Sequence, residues 1–96
     1  MKVTVECLGL PTLAAVIGKK TEVAIGDGAS LSDLVQQITG LFGSKARQAL
    51  LDSDGHLDLT IQIMVNDEGF VAREGLSDRQ LRDGDRVRFM LLVGGG

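Results

Sequence analysis

The chain has 96 residues and a formal charge of −3, from ten basic and thirteen acidic side chains. An apolar fraction of 44% and a charged fraction of 24% suit one small folded domain and exclude a disordered chain. The acidic balance and only three aromatic residues, all Phe, argue against nucleic acid as a partner: a duplex reader needs a basic stripe and a single-strand binder needs stacking rings.

Taken in chain order, residues 2–8 alternate, with Val3, Val5 and Cys7 against Lys2, Thr4 and Glu6, which predicts a half-buried strand. Pro11 excludes a central strand in the next stretch. There Leu13 to Val16 read either as a short helical turn or as a loop packed on the sheet. Alternation returns over residues 20–25 and is broken by Gly26-Asp27-Gly28. From Leu31 the period becomes helical: Leu31, Leu34, Val35, Ile38, Leu41 and Phe42 form one stripe, Ser30 is a suitable N-cap, and Gly40 and Gly43 are expected to end the helix. Ser44 to Leu51 admits a second short helix. Residues 58–65 predict a strand with Leu59, Ile61, Ile63 and Val65 inward and Thr60, Gln62, Met64 and Asn66 outward. Phe70 to Ala72 admits a short strand, Ser77 to Leu81 one turn of helix, and Arg86 to Leu92 the last strand. One main helix set among strand pairs argues an α+β fold, a small mixed sheet with the helix on one face.

Residues that carry chemistry are scarce. The lone Cys7 sits in an apolar alternation and reads as a buried small hydrophobe in a chain from a reducing compartment. His56 reads as a surface-loop residue with no matched nucleophile. The run Asp52 to Asp58 hints at a calcium loop, but its sixth position is Leu57 and its twelfth Ile63, where that loop needs Gly and Glu. A turn is expected instead, and no metal site. The longest uncharged stretch, Cys7 to Gly18, falls short of the ~20 residues of a membrane span and contains Pro11. With Glu6 interrupting any secretory start, the expectation is a cytoplasmic protein with no membrane partner.

The last strand places Val87, Phe89, Leu91 and Val93 on one face and Arg86, Arg88, Met90 and Leu92 on the other. Core packing accounts for Val87, Phe89 and Leu91. Met90 and Leu92 share a face with two arginines, a pattern of partner binding. The sequence then closes on Val93-Gly94-Gly95-Gly96. Glycine lacks a Cβ, so such a tail passes through channels that exclude other residues, and its last carbonyl is unhindered. Five extended residues reach about 17 Å. On these residues alone, an inert terminus and a functional one both stand.

The chain resembles the ubiquitin-like β-grasp sulfur carriers of the MoaD/ThiS family over essentially its whole length. "LTIQIMVNDEG" is similar to that family's apolar strand ending in Val-Asn before a turn. "LRDGDRVRFMLLVGGG" is similar to its closing pattern: Leu81, Asp83-Gly84-Asp85, Val87, Phe89, Val93, then terminal Gly95-Gly96. Leu91-Leu92 stand where molybdopterin-synthase small subunits usually carry prolines, and residues 44–58 make the chain longer than thiamine-type carriers. The resemblance implies a β-grasp domain over residues 1–91 and a flexible glycine tail over 92–96. It implies a carrier rather than an enzyme, closest in type to a molybdopterin-synthase small subunit, that binds no cofactor itself. A ubiquitin-activating-type adenylyltransferase would adenylate the Gly96 carboxylate with ATP and magnesium. A sulfur donor would make the thiocarboxylate, and an acceptor synthase large subunit would take the sulfur. Gly94 and Gly95 would thread, while Met90, Leu92, Val93, Met64, Arg86 and Arg88 would dock. A ubiquitin-like modifier joined through Gly96 to target lysines, and an inert β-grasp interaction module, are the alternative readings.

Overall fold

The computed structural model describes residues 1–91. The elements are β1 (Lys2–Leu8), α1 (Pro11–Ile17), β2 (Lys20–Ala24), α2 (Leu31–Phe42), α3 (Ser44–Leu50), β3 (Ile61–Val65), β4 (Phe70–Val71), a 3-10 turn at Arg73–Gly75, and β5 (Arg86–Leu91). The five strands form one mixed sheet in the order β2-β1-β5-β3-β4. The β1–β5 pair is parallel; β1–β2, β3–β5 and β3–β4 are antiparallel. This is the α+β arrangement of a ubiquitin-like β-grasp fold. Among the described residues, no helix is long and apolar enough to cross a membrane.

Strand parity sets which face is buried. Val3, Val5 and Cys7 of β1, Val87 and Phe89 of β5, and Ile61, Ile63 and Val65 of β3 all lie in the core. The register aligns Val5 with Val87 and Val87 with Val65, and likewise Cys7 with Phe89 and Phe89 with Ile63. Phe89 is wholly buried at the centre of the sheet. Leu31, Leu34, Val35 and Ile38 of α2 are buried as the stripe predicts, but Leu41, placed in the same stripe, is 58% exposed in the last turn, where the helix runs past its cover. Leu13 and Ile17 of α1 and Ala46 and Leu50 of α3 complete the layer.

The main helix is capped as its sequence suggests. Ser30 Oγ accepts from Asp33 N at 3.1 Å, and Asp33 Oδ2 accepts from Ser30 N at 2.9 Å, a reciprocal capping box. The helix runs through Gly40 and stops at Gly43, whose φ of 79° favours glycine. Leu13 to Val16 belong to a true helix: Pro11 opens it with a preset φ, and Gly18 N donates to Ala14 O at 2.8 Å to close it.

Three local expectations are corrected. The strand expected from residue 58 begins at Ile61, and Leu59, expected inward, is 71% exposed. The cause is Asp58, whose Oδ1 accepts from Thr60 N at 2.8 Å and Thr60 Oγ1 at 2.6 Å, folding the chain into a tight turn. Those two bonds also hold the Asp58 carboxyl below its ordinary range. Residues 77–81 form no helical turn. Arg79 O and Leu76 O instead accept from Leu31 N and Ser32 N, the unsatisfied first amides of α2, and Gln80 bridges Ser30. Leu91 has core parity yet is 44% exposed, because it lies at the end of the sheet.

Replacing Ser30 with Ala removes one arm of the capping box. It is expected to cost about 1 kcal/mol, a fall in melting temperature of about 4–8 °C by calorimetry. Burial pushes the Cys7 thiol up to about 11 from 9.0. Its folded pKa thus exceeds its unfolded value, so the unfolded chain loses its proton first and stability falls as pH rises from 9 toward 11. Cys7→Ala is expected to show a shallower decline over that window in chemical denaturation.

Candidate functional site

The uncovered face of the sheet carries the residues singled out in the last strand. Register sets them in rows. Leu8, Met90 and Gln62 form one row across β1, β5 and β3. Glu6, Arg88, Met64 and Phe70 form the next, running on to β4. Directly opposed residues in such rows lie within side-chain contact. Leu8 is 44% and Phe70 52% exposed, while Met90 and Met64 are half-buried. The result is an apolar diagonal, Leu8–Met90–Met64–Phe70, that runs from β1 to β4 and crosses β5, the strand that leads into residues 92–96.

Arg88 lies within this diagonal. Its Nε is 3.5 Å from Glu6 Oε2, its Nη1 is 3.5 Å from Asp67 Oδ1, and Nη1 lies 3.8 Å from Met64 Sδ. Both Arg88 and Glu6 are mostly covered, so the pair rigidifies the patch as well as charging it. Arg86 is held by Asp67 at 3.1 Å, and its Nε is buried without a partner. The two arginines are thus spoken for within the chain, on one carboxylate they share.

The Val-Asn pair before the β3–β4 turn positions the whole face. Asn66 adopts a φ of 53°, which asparagine tolerates better than most residues. Its Oδ1 accepts from Arg86 N at 3.0 Å, and its Nδ2 donates to Asp85 Oδ1 at 3.1 Å. Asp85 is buried, and its Oδ2 accepts from Arg82 N at 2.8 Å. One amide and one carboxylate therefore anchor the entry to β5, and with it the direction of Arg86, Arg88 and Met90.

At the other end, Gly9 turns the chain from β1 into α1 at a φ of 69° and packs beside Leu91. Met64, Met90, Arg86 and Arg88 come together on one face as anticipated. Leu92, Val93, Gly94, Gly95 and Gly96 lie outside the described residues. Sequence reasoning passed over Leu8 and Phe70. Leu8 continues the outward parity of Lys2, Thr4 and Glu6 and was within reach; Phe70 joins the patch only through the β3–β4 register, which no pattern encodes. The loop 52–58 is a turn, as expected. Asp52 Oδ1 accepts from Asp54 N and His56 N at 2.9 and 3.0 Å, which draws the side chains of Asp52, Asp54 and His56 to within 4.8 Å of one another.

The model of the ThiS family matches residues 11–96. The chain belongs to the ThiS family. Among solved structures, this ThiS family member is similar to SAMP1 from Haloferax volcanii, 22% identical over 100% of both chains with a TM-score of 0.78. That likeness speaks for the fold. It is similar to CysO from Mycobacterium tuberculosis, 29% identical over 95% of this chain and 99% of that one, TM-score 0.67. It is also similar to a chain of the Amycolatopsis orientalis BexX/CysO complex, 27% identical over 98% and 99%, TM-score 0.66. No curated protein matches it. The chain is thus a sulfur-carrier-like or ubiquitin-like protein of the ThiS kind.

Asn66→Ala is expected to destabilise the fold by about 1–3 kcal/mol, because Asp85 and Arg86 N lose buried partners. Asn66→Gly keeps the backbone conformation and loses the same bonds, so its melting temperature should lie between those of Asn66→Ala and the parent. Equal loss in both would show that the conformation contributes nothing.

Proposed function

We propose that this ThiS family chain is a sulfur carrier whose reactive atom is the carboxylate of Gly96. The observation that carries the reading is a conjunction. The family match runs through Gly96, and the exposed apolar diagonal crosses β5 at Met90, six residues before it. A body that docks and a short glycine strand that enters a partner's site are the two parts such a carrier needs.

In this reading the Gly96 carboxylate oxygen attacks the α-phosphorus of ATP in a ubiquitin-activating-type adenylyltransferase, and pyrophosphate leaves. Magnesium and nucleotide belong to that partner, and this chain holds no cofactor of its own. Nucleophilic sulfur from a donor then attacks the acyl carbon, the bond to AMP breaks, and a thiocarboxylate remains. The chain is co-substrate rather than catalyst. Gly94 and Gly95 thread, and Met90, Leu92, Val93, Met64, Arg86 and Arg88 dock. We place the reaction in the cytoplasm, where a single thiol stays reduced. For the acceptor, a molybdopterin-synthase-type large subunit is the first candidate. The BexX/CysO complex supports a two-protein arrangement more generally.

Intact mass of the protein from its native cell is expected to show replacement of one terminal oxygen by sulfur on a chain ending at Gly96. Conjugate ladders lost on deleting Gly96 would instead establish a modifier, and an unmodified terminus with no conjugates an inert module. Deleting Gly95 and Gly96 is expected to abolish adenylation with little change in melting temperature. Met90→Asp should weaken capture of the co-purifying adenylyltransferase or acceptor while the domain stays folded.

A further inference from the structure

The sheet has two edges, and they differ. β4 offers two residues, Phe70 and Val71, whereas β2 offers five, Lys20–Ala24. Hydrogen bonding fixes which β2 groups face outward. Ile25 N donates to Met1 O at 2.9 Å, Met1 N to Ile25 O at 2.8 Å, and Cys7 N to Lys19 O at 2.9 Å. Lys19 and Ile25 thus turn their backbone groups toward β1, and by the alternation of an antiparallel ladder so do Thr21 and Val23. The N–H and C=O groups of Lys20, Glu22 and Ala24 point away from the sheet. Gln37 Nε2 donates to Ala24 O at 3.2 Å and closes that end of the edge. Lys20 and Glu22 remain as the open stretch, and both are exposed.

An open edge of this kind is a template for another strand. We infer that it pairs with the same edge of a second copy of this chain, antiparallel about a twofold axis that is normal to the sheet and passes between the two Thr21 residues. Hydrogen-bond direction and charge select this occupant and this register together. Outward groups must oppose outward groups, so even-numbered residues of one copy exchange bonds with even-numbered residues of the other. Centring the pair on Lys20 or on Glu22 puts like charge directly against like. Centring it on Val23 needs Ala24 O, which Gln37 holds. Centring it on Thr21 sets Lys20 against Glu22 of the second copy and Glu22 against Lys20 of the second copy. Both charge pairs are attractive, and each also exchanges two backbone hydrogen bonds. The short run Lys20-Thr21-Glu22 is its own antiparallel complement.

This pairing continues a row that the chain begins. Across the outer face Arg88, Glu6 and Lys20 stand opposite one another on β5, β1 and β2, in alternating sign. Glu22 of the second copy is the next member. Among the described residues, neither Lys20 nor Glu22 has an ion-pair partner within the chain. Because the axis is normal to the sheet, both apolar diagonals lie on one face of the joined sheet and both helical layers on the other. Pairing therefore leaves the diagonal open, and the inference is independent of the chemistry at Gly96. One strand pair covers less than the ~1,000 Å² of a lasting interface, so the association is weak, with a Kd on the order of 100 µM.

The test combines sedimentation and amide hydrogen exchange of the full chain from about 20 µM to about 2 mM. A monomer–dimer equilibrium is expected, with exchange at the Lys20 and Glu22 amides slowing as concentration rises. Lys20→Glu and Glu22→Lys should each weaken self-association about tenfold, since each sets like charges opposite one another. Mixing the two variants should restore association to about the parental strength, because every charge at the edge then faces its opposite. Both positions are exposed, and a far-ultraviolet melt checks that the variants fold; the exchange data on the parent chain decide the matter without them. A monomer at every concentration, single variants that associate as the parent does, or a mixture no tighter than either variant alone would overturn the inference. So would exchange that slows with concentration at Phe70 and Val71 instead. A chain lacking Gly95 and Gly96 should pair undiminished, so failure of the carrier reading leaves this result standing.

Discussion

The parallel pairing of β1 with β5 is the constraint on which the rest of the molecule depends. It brings the first and last described strands together in the middle of the sheet, and β3 then closes on the far side of β5. Two rows result, Val5–Val87–Val65 and Cys7–Phe89–Ile63, and the helices pack on them. A slip of one residue would put Arg86, Arg88 and Met90 into the core and Val87 and Phe89 into water, so the buried rows fix the outer face as firmly as the inner one. The apolar diagonal is therefore a by-product of core packing in its position, though not in its composition.

That division runs through the molecule. Stability resides in the layer between sheet and helices, where nearly every group is apolar. The polar devices lie at the ends of elements: the Ser30–Asp33 box at the start of α2, and the Asn66–Asp85 pair at the entry to β5. Each satisfies backbone amides that the regular structure leaves open. The second also aims functional side chains. The outer face can thus vary without touching the core, provided Asn66 and Asp85 remain.

Much of this was legible in the residues. Period-2 runs marked β1, β2 and β5, the stripe from Leu31 to Phe42 marked α2, and the parity of β5 separated Met90 from Phe89 correctly. The departures share a physical cause: local pattern says nothing about non-local hydrogen bonds. Leu59 fits an alternating strand, but the Asp58–Thr60 turn ends the pattern before it. Residues 77–81 look helical, but the free amides of α2 claim the carbonyls of Leu76 and Arg79. Leu91 has the right parity and no cover above it. Phe70 needed the β3–β4 register.

The central place of β5 also has a consequence in time. Its partner β1 is made first, and β5 is the last described element to leave the ribosome. Until residue 86 and those after it are free, β1 has only β2 beside it, β3 lacks its main neighbour, and Phe89 is missing from the core. A nascent or prematurely stopped chain therefore cannot present the finished sheet face to any partner. Long-range closure of this kind slows folding. In return, it couples possession of a docking surface to completion of the strand that leads toward Gly96.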